Sequence, residues 1–253
     1  MLRSIFRLMS IGMVFLLYFP GGALLHSQEK KKETKAEPPK VLQAIPPFIS
    51  TGKAGKVLLR GKGLDQAKTV FLSGKEAKII RKGKAGVPQG LSADKVGDTE
   101  VEFEVPASMG DKLTILVKGE AGESQGFDIP VLGGVLEEKE PNGGFRMAQE
   151  VKAPGILHGK IQSAQDVDVF QIVGAPGATV KLQIDSVKLG SALDPVLTLY
   201  DEKGKVLRFA DDTAETRDPS ISVKLPTNGK LYLVIQDAFD QGGDIYFYLL
   251  RFQ

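Results

Sequence analysis

The sequence predicts an all-β protein of two antiparallel β-sandwich domains. Three observations predict it: short β-rich runs recur between glycine, proline and aspartate turns, several of them alternate apolar with polar residues, and no segment shows a helical period. At 253 residues, 42% hydrophobic and 25% charged, the chain is long enough for two cores of about 100 residues each.

The N-terminus has Arg3 and Arg7, an uncharged apolar run from Leu8 to Phe19, and then Pro20, Gly21 and Gly22. This is the layout of a secretory signal peptide, expected over residues 1–27 with cleavage after Ser27; an uncleaved membrane anchor is the alternative. Residues 28–40, QEKKKETKAEPPK, read as a charged, disordered linker. Export, whether to the medium, the periplasm or the cell surface, follows from this organisation, and contact with a membrane is expected only through the N-terminal segment.

Residues 41–132 form the first expected domain. Strands are expected at Val57–Arg60, Thr69–Leu72, Ala77–Ile80, Glu100–Val105 and Leu113–Val117. In Glu100–Val105 the glutamates face water, while Val101, Phe103 and Val105 face the core. The glycine-rich stretch Lys82–Asp98 reads as an unusually long loop. Gly61, Gly63 and Gly74 suit turn positions that favour positive φ.

Residues 133–253 form the second. Strands are expected at Phe170–Val173, Thr179–Asp185, Val196–Tyr200, Ile221–Leu225, Lys230–Gln236 and Ile245–Arg251, and the Gly133-Gly134 pair ahead of them reads as a flexible junction. The last strand is apolar on both faces, with Ile245, Phe247 and Leu249 on one and Tyr246, Tyr248, Leu250 and Phe252 on the other. It is expected either as a central strand covered on both sides or as a strand with a partner on its outer face.

Composition excludes several functions. Without cysteine there is neither a disulfide nor a zinc-thiolate site nor a lipidated cysteine. His26 lies in the targeting segment, leaving His158 as the one usable histidine, too few for an ordinary zinc hydrolase. The net charge of +2 has no aromatic-interleaved basic stripe, so no nucleic-acid partner is expected. Gly122-Glu123-Ser124-Gln125-Gly126 has the G-x-S-x-G spacing, but His158 is the one histidine a serine triad could recruit, and the absence of tryptophan argues against a sugar-stacking glycosidase cleft.

Acidic residues form two groups. Residues two apart in extended chain share a face, so Glu138, Glu140 and Asn142 can present oxygens together, as can Asp166 and Asp168. A straight strand through Asp166 would put Phe170 on the aspartates' face, so a bend or bulge is expected there to keep the carboxylates wet. Asp211, Asp212, Glu215 and Asp218 form a second, loop-borne group that reads either as a cation site or as a soluble turn.

Two stretches resemble known families. The Ile45-Pro46-Pro47 opening, the run from Gly55 to Leu64 with its G-x-G-L turn, the Val70–Ala77 hairpin and Val105-Pro106 are similar to IPT/TIG immunoglobulin-like domains, which serve as spacers or binding modules. From Glu137 to Phe252, the ordered set EKEPN (138–142), GKI (159–161), DVDVF (166–170), LDPVLTLYD (193–201), ADD (210–212), GKLYLVI (229–235) and GDIYFYL (243–249) resembles the bacterial pre-peptidase C-terminal (PPC) domain, a jelly-roll sandwich. That resemblance implies a structural calcium ion (Ca2+) on Glu138, Glu140, Asn142, Asp166 and Asp168, although Gly143 stands where the family often has another acidic residue. It also implies Tyr246 and Tyr248 as candidates for a ligand surface.

The function expected is that of an exported, non-catalytic accessory module that recognises an extracellular or envelope protein or polysaccharide. A purely structural stalk or scaffold of the envelope is the first alternative, and a cryptic secreted hydrolase the second.

Overall fold

In a computed structural model the strands from Lys40 to Leu132 make two sheets and those from Val135 to Phe252 make two more. The residues described are 36–108 and 110–253. The expected signal peptide and most of the charged linker lie outside them.

One sheet of the first sandwich runs Lys40–Ile45, Gly55–Lys62, Thr99–Val105, Ile79–Lys84. The facing sheet runs Ile49–Ser50, Phe127–Leu132, Lys112–Gly119, Thr69–Leu72, Lys75–Ala77, with Gly122–Glu123 beside Lys112–Gly119. The alternation read from the sequence is realised: Val101, Phe103 and Val105 are buried with Val57, Leu59, Val70, Ile115 and Val117. Gly63 and Gly74 have the expected positive φ. Gly61 does not sit in a turn but inside Gly55–Lys62, where a Cβ would collide with the carbonyl of Lys40.

In the second sandwich, Val135–Glu137, Gly155–Lys160, Phe247–Phe252, Thr179–Asp185 and Ser220–Lys224 form one sheet. Gln149–Lys152, Val167–Val173, Lys230–Asp237, Pro195–Tyr200 and Val206–Ala210 form the other. Pairing is antiparallel except at three edge strands, where Ile49–Ser50, Val135–Glu137 and Gln149–Lys152 run parallel to their neighbours. Phe247–Phe252 is a central strand with apolar residues on both faces because both are covered. Tyr246 and Tyr248 are 3% and 0% exposed. Tyr248 therefore forms no ligand surface and Tyr246 offers almost none, which corrects the expectation drawn from the resemblance.

Ala36 to Gln253 form one compact unit. Val96, at the end of the short helix Ala93–Val96, belongs to the second sandwich's core cluster, and Ile45 and Leu91 pack against that cluster. Phe48 meets His158 edge-on at 5.4 Å. The junction expected to be flexible at Gly133-Gly134 thus lies beside an apolar joint. The stretch read as a long loop, 82–98, supplies part of that joint. It is fixed by Arg60, whose guanidinium donates to the carbonyls of Gly86, Val96 and Gly97 at 2.7 to 3.2 Å.

Candidate metal centre

The chain leaves Val135–Glu137 on one sheet of the second sandwich and crosses to Gln149–Lys152 on the other, and the candidate ligands sit on this crossover. Glu138 continues the edge strand, with its N–H donating to the His158 carbonyl at 2.9 Å. Its Oε2 accepts from the Lys160 N–H at 2.8 Å and its Oε1 from Asn142 Nδ2 at 2.7 Å. Glu140 Oε2 accepts from the Asn142 N–H at 2.8 Å, and the Val169 N–H donates to the Asn142 carbonyl at 3.2 Å. Asn142 is thereby clamped between the crossover and Val167–Val173, with its side chain fully buried.

Asp168 comes from Val167–Val173. The bend expected around it is not in the strand: its register with Lys230–Asp237 is unbroken from Val167 to Val173. The turn lies earlier, at Gln165 with φ 66°, so Asp168 and Phe170 share the inner face and Asp168 is 0% exposed. The wet carboxylate expected from the sequence is instead a buried one, held by the Tyr248 hydroxyl, which donates to its Oδ2 at 2.6 Å.

Glu138, Glu140 and Asp168 each place a carboxylate oxygen within 4.8 Å of the others. Asp166 does not join them. Its Oδ2 accepts from the Gln162 N–H at 2.7 Å and closes the turn ahead of the strand. It acts on the cluster only through its charge, which helps to raise the affinity of Asp168 for a proton.

The electrostatics are unbalanced. Burial, then the neighbouring Glu138 charge, push the Asp168 carboxyl up to about 10. Burial likewise raises Glu138. Tyr248 is raised well above the usual phenol range by burial and by the Asp168 charge, so it stays a donor. Without a cation, Asp168 therefore keeps its proton at neutral pH instead of standing as a second charge beside Glu138. Asp168 Oδ1 and Asn142 Oδ1 are buried without a hydrogen-bond partner. An ionised Asp168 would leave its Oδ1, like Asn142 Oδ1, an unpaired buried acceptor at a cost of about 1–3 kcal/mol each, which a hard cation with oxygen ligands would relieve. Tyr248→Phe, which strips the donor from Asp168 Oδ2, is expected to destabilise the protein by about 1–3 kcal/mol in urea unfolding.

The second acidic group is divided by the structure. Asp218 is consumed as a cap, accepting from Ser186 N and Oγ and from Val187 N at the start of the 3-10 turn Val187–Leu189. Asp211 and Asp212 approach Asp194 instead, and Asp194 Oδ2 accepts from Arg217 at 3.2 Å. Glu215 is exposed in the turn that Thr213 and Thr216 close.

Tyr248 was missed as a partner of the site: its place on the Leu250 and Phe252 face was legible, but the sequence left open whether that face is buried.

No family model matches the chain. Over 75 residues it is 35% identical to a probable subtilase-type serine protease of Deinococcus radiodurans, a match that covers 29% of this chain and 10% of that protein. The chain thus spans about a tenth of the curated relative's length. Among solved structures it is similar to the pre-peptidase C-terminal domain of a Bacillus anthracis collagenase, with 13% identity, a TM-score of 0.35, and coverage of 46% of this chain and 100% of that one. It is also similar to SGBP-B of a Bacteroides ovatus mixed-linkage glucan utilization locus in complex with a heptasaccharide. There the identity is 10% and the TM-score 0.30, with 86% of this chain and 74% of that one covered.

Proposed function

We propose that the chain is an exported, non-catalytic accessory module in which a calcium ion fastens the crossover 138–148 to the second sandwich, and which recognises an extracellular or envelope polymer. The observation that carries the calcium is the approach of Glu138, Glu140 and Asp168 to within 4.8 Å of one another, with Asn142 hydrogen-bonded to Glu138 beside them and its Oδ1 buried and unpaired. Four side-chain oxygens fall short of the six to eight that calcium takes, so water or main-chain oxygens complete the shell. When bound, the ion supplies charge neutralisation; the chain's own residues position it. Asn142 ties the crossover to Val169, Glu138 ties it to Lys160, and Tyr248 orients Asp168.

The surroundings of His158 argue against its use as a catalytic residue. Its Nδ1 faces Glu137 at 2.9 Å and its ring packs on Phe48 at the joint between the sandwiches, which is a structural setting.

The test is thermal unfolding of the secreted chain with millimolar calcium and with chelator. An ion present at about 100 times its Kd stabilises by about 2.7 kcal/mol, which at this chain length raises Tm by about 5–10 °C. An unmoved midpoint would remove calcium from the reading.

A further inference from the structure

We propose that the cleft between the two sandwiches is a ligand site and that it takes a neutral carbohydrate chain. The inference rests on the reading of the chain as a binding module, but not on the calcium ion. The cleft has a volume of about 650 Å3, within the range of ligand pockets. One wall is formed by Gln89, Leu91 and Lys95 of the first sandwich, the other by Asp194, Arg217, Phe239 and Gln241 of the second, and Tyr246 lies between.

Both walls are braced. The first is tied down by Arg60 on Gly86, Val96 and Gly97, and Leu91 packs against the second sandwich's core. The second is the loop after Lys230–Asp237. The Asp237 carboxylate accepts from the N–H groups of Asp194, Phe239 and Gln241 at 2.9 to 3.0 Å. Gln165 N donates to the Asp240 carbonyl at 3.1 Å, and Asp240 is held at φ 55°.

On this fixed loop Phe239 is 71% exposed. Burying such a ring would stabilise the fold by about 1.5–3 kcal/mol, so a cross-braced loop that displays it in water is poorly arranged for stability and well arranged for recognition. The negative π-face of the ring attracts the polarised C–H face of a pyranose. Around it, Gln89, Gln241 and Arg217 offer planar hydrogen-bonding groups for hydroxyls, Arg217 using one N–H on Asp194. Among the lining residues Lys95 and Arg217 are matched in number by Asp194 and Asp237, and Asp211 and Asp212 beside Asp194 disfavour an acidic chain.

The experiment is affinity electrophoresis of the secreted chain through native gels containing a mixed-linkage β-glucan, galactomannan or amylopectin, with polygalacturonate as the acidic probe. At least one neutral polysaccharide is expected to retard the chain. Phe239→Ala is expected to weaken that retardation at least 10-fold with Tm unchanged, whereas Phe209→Ala, at another exposed ring, leaves it intact. Retardation that survives Phe239→Ala would overturn the cleft while leaving the binding-module reading in place. Retardation by polygalacturonate alone, or by none of the four, would overturn the carbohydrate assignment, as would capture of an envelope protein that depends on Phe239.

Discussion

Without calcium, the protein is expected to lose stability as pH rises between about 4 and about 10, and Asp168→Asn is expected to flatten that decline. The Asp168 carboxyl moves from its ordinary value of 3.8 to about 10 on folding, so inside this window the folded state holds a proton that the unfolded state has released. Stability then falls with rising pH, by at most about 1.4 kcal/mol per pH unit for one proton. The contribution is fully present below the unfolded value, because there both states are protonated, and it is lost as pH climbs toward the folded one. Calcium, which binds the ionised carboxylates, should raise Tm more at pH 8 than at pH 5, and should release protons on binding. Thermal melts at pH 5, 6.5 and 8 with and without chelator check this. A chelated wild type with a pH-independent midpoint would contradict the buried, protonated Asp168.

Gly190→Val is expected to split the single unfolding transition into two. Gly190 has φ 77°, and a Cβ there would press into the main-chain oxygen of Leu42, on the first sandwich. A β-branched residue adds strain of about 1–3 kcal/mol at that φ to a backbone clash across the joint. The joint is the element able to yield, since each sandwich keeps its own core. Differential scanning calorimetry should show two separate transitions, and neutral-polysaccharide binding should fall because the two walls of the cleft part. A single, unshifted transition would show that the joint does not couple the sandwiches.

Strand existence was legible because one face of most strands is buried, which leaves a period of two, clearest in Glu100–Val105. Pairing direction was not, since periodicity carries no information about which edge strand runs parallel. Tyr246 and Tyr248 show the same limit: a strand apolar on both faces is compatible with a central position or a docking face, and only its neighbours Gly155–Lys160 and Thr179–Asp185 decide. At the candidate site, the spacing of Glu138, Glu140 and Asn142 placed their oxygens together. Asp168 was misread as wet because the turn at Gln165 precedes the strand, so the carboxylate follows Phe170 inward. The packing of the joint was invisible for a related reason. Glycines 133 and 134 advertise freedom locally, while Val96 and Arg60 impose order through contacts distant in sequence.

The central claim is that the crossover 138–148 is fastened by one calcium ion. Isothermal titration of the chelator-stripped protein with calcium tests it most directly. The account predicts one ion bound per chain, with a proton release that depends on buffer, and no binding in Asp168→Asn. Absence of binding heat in several buffers, or unchanged binding in that variant, would contradict it.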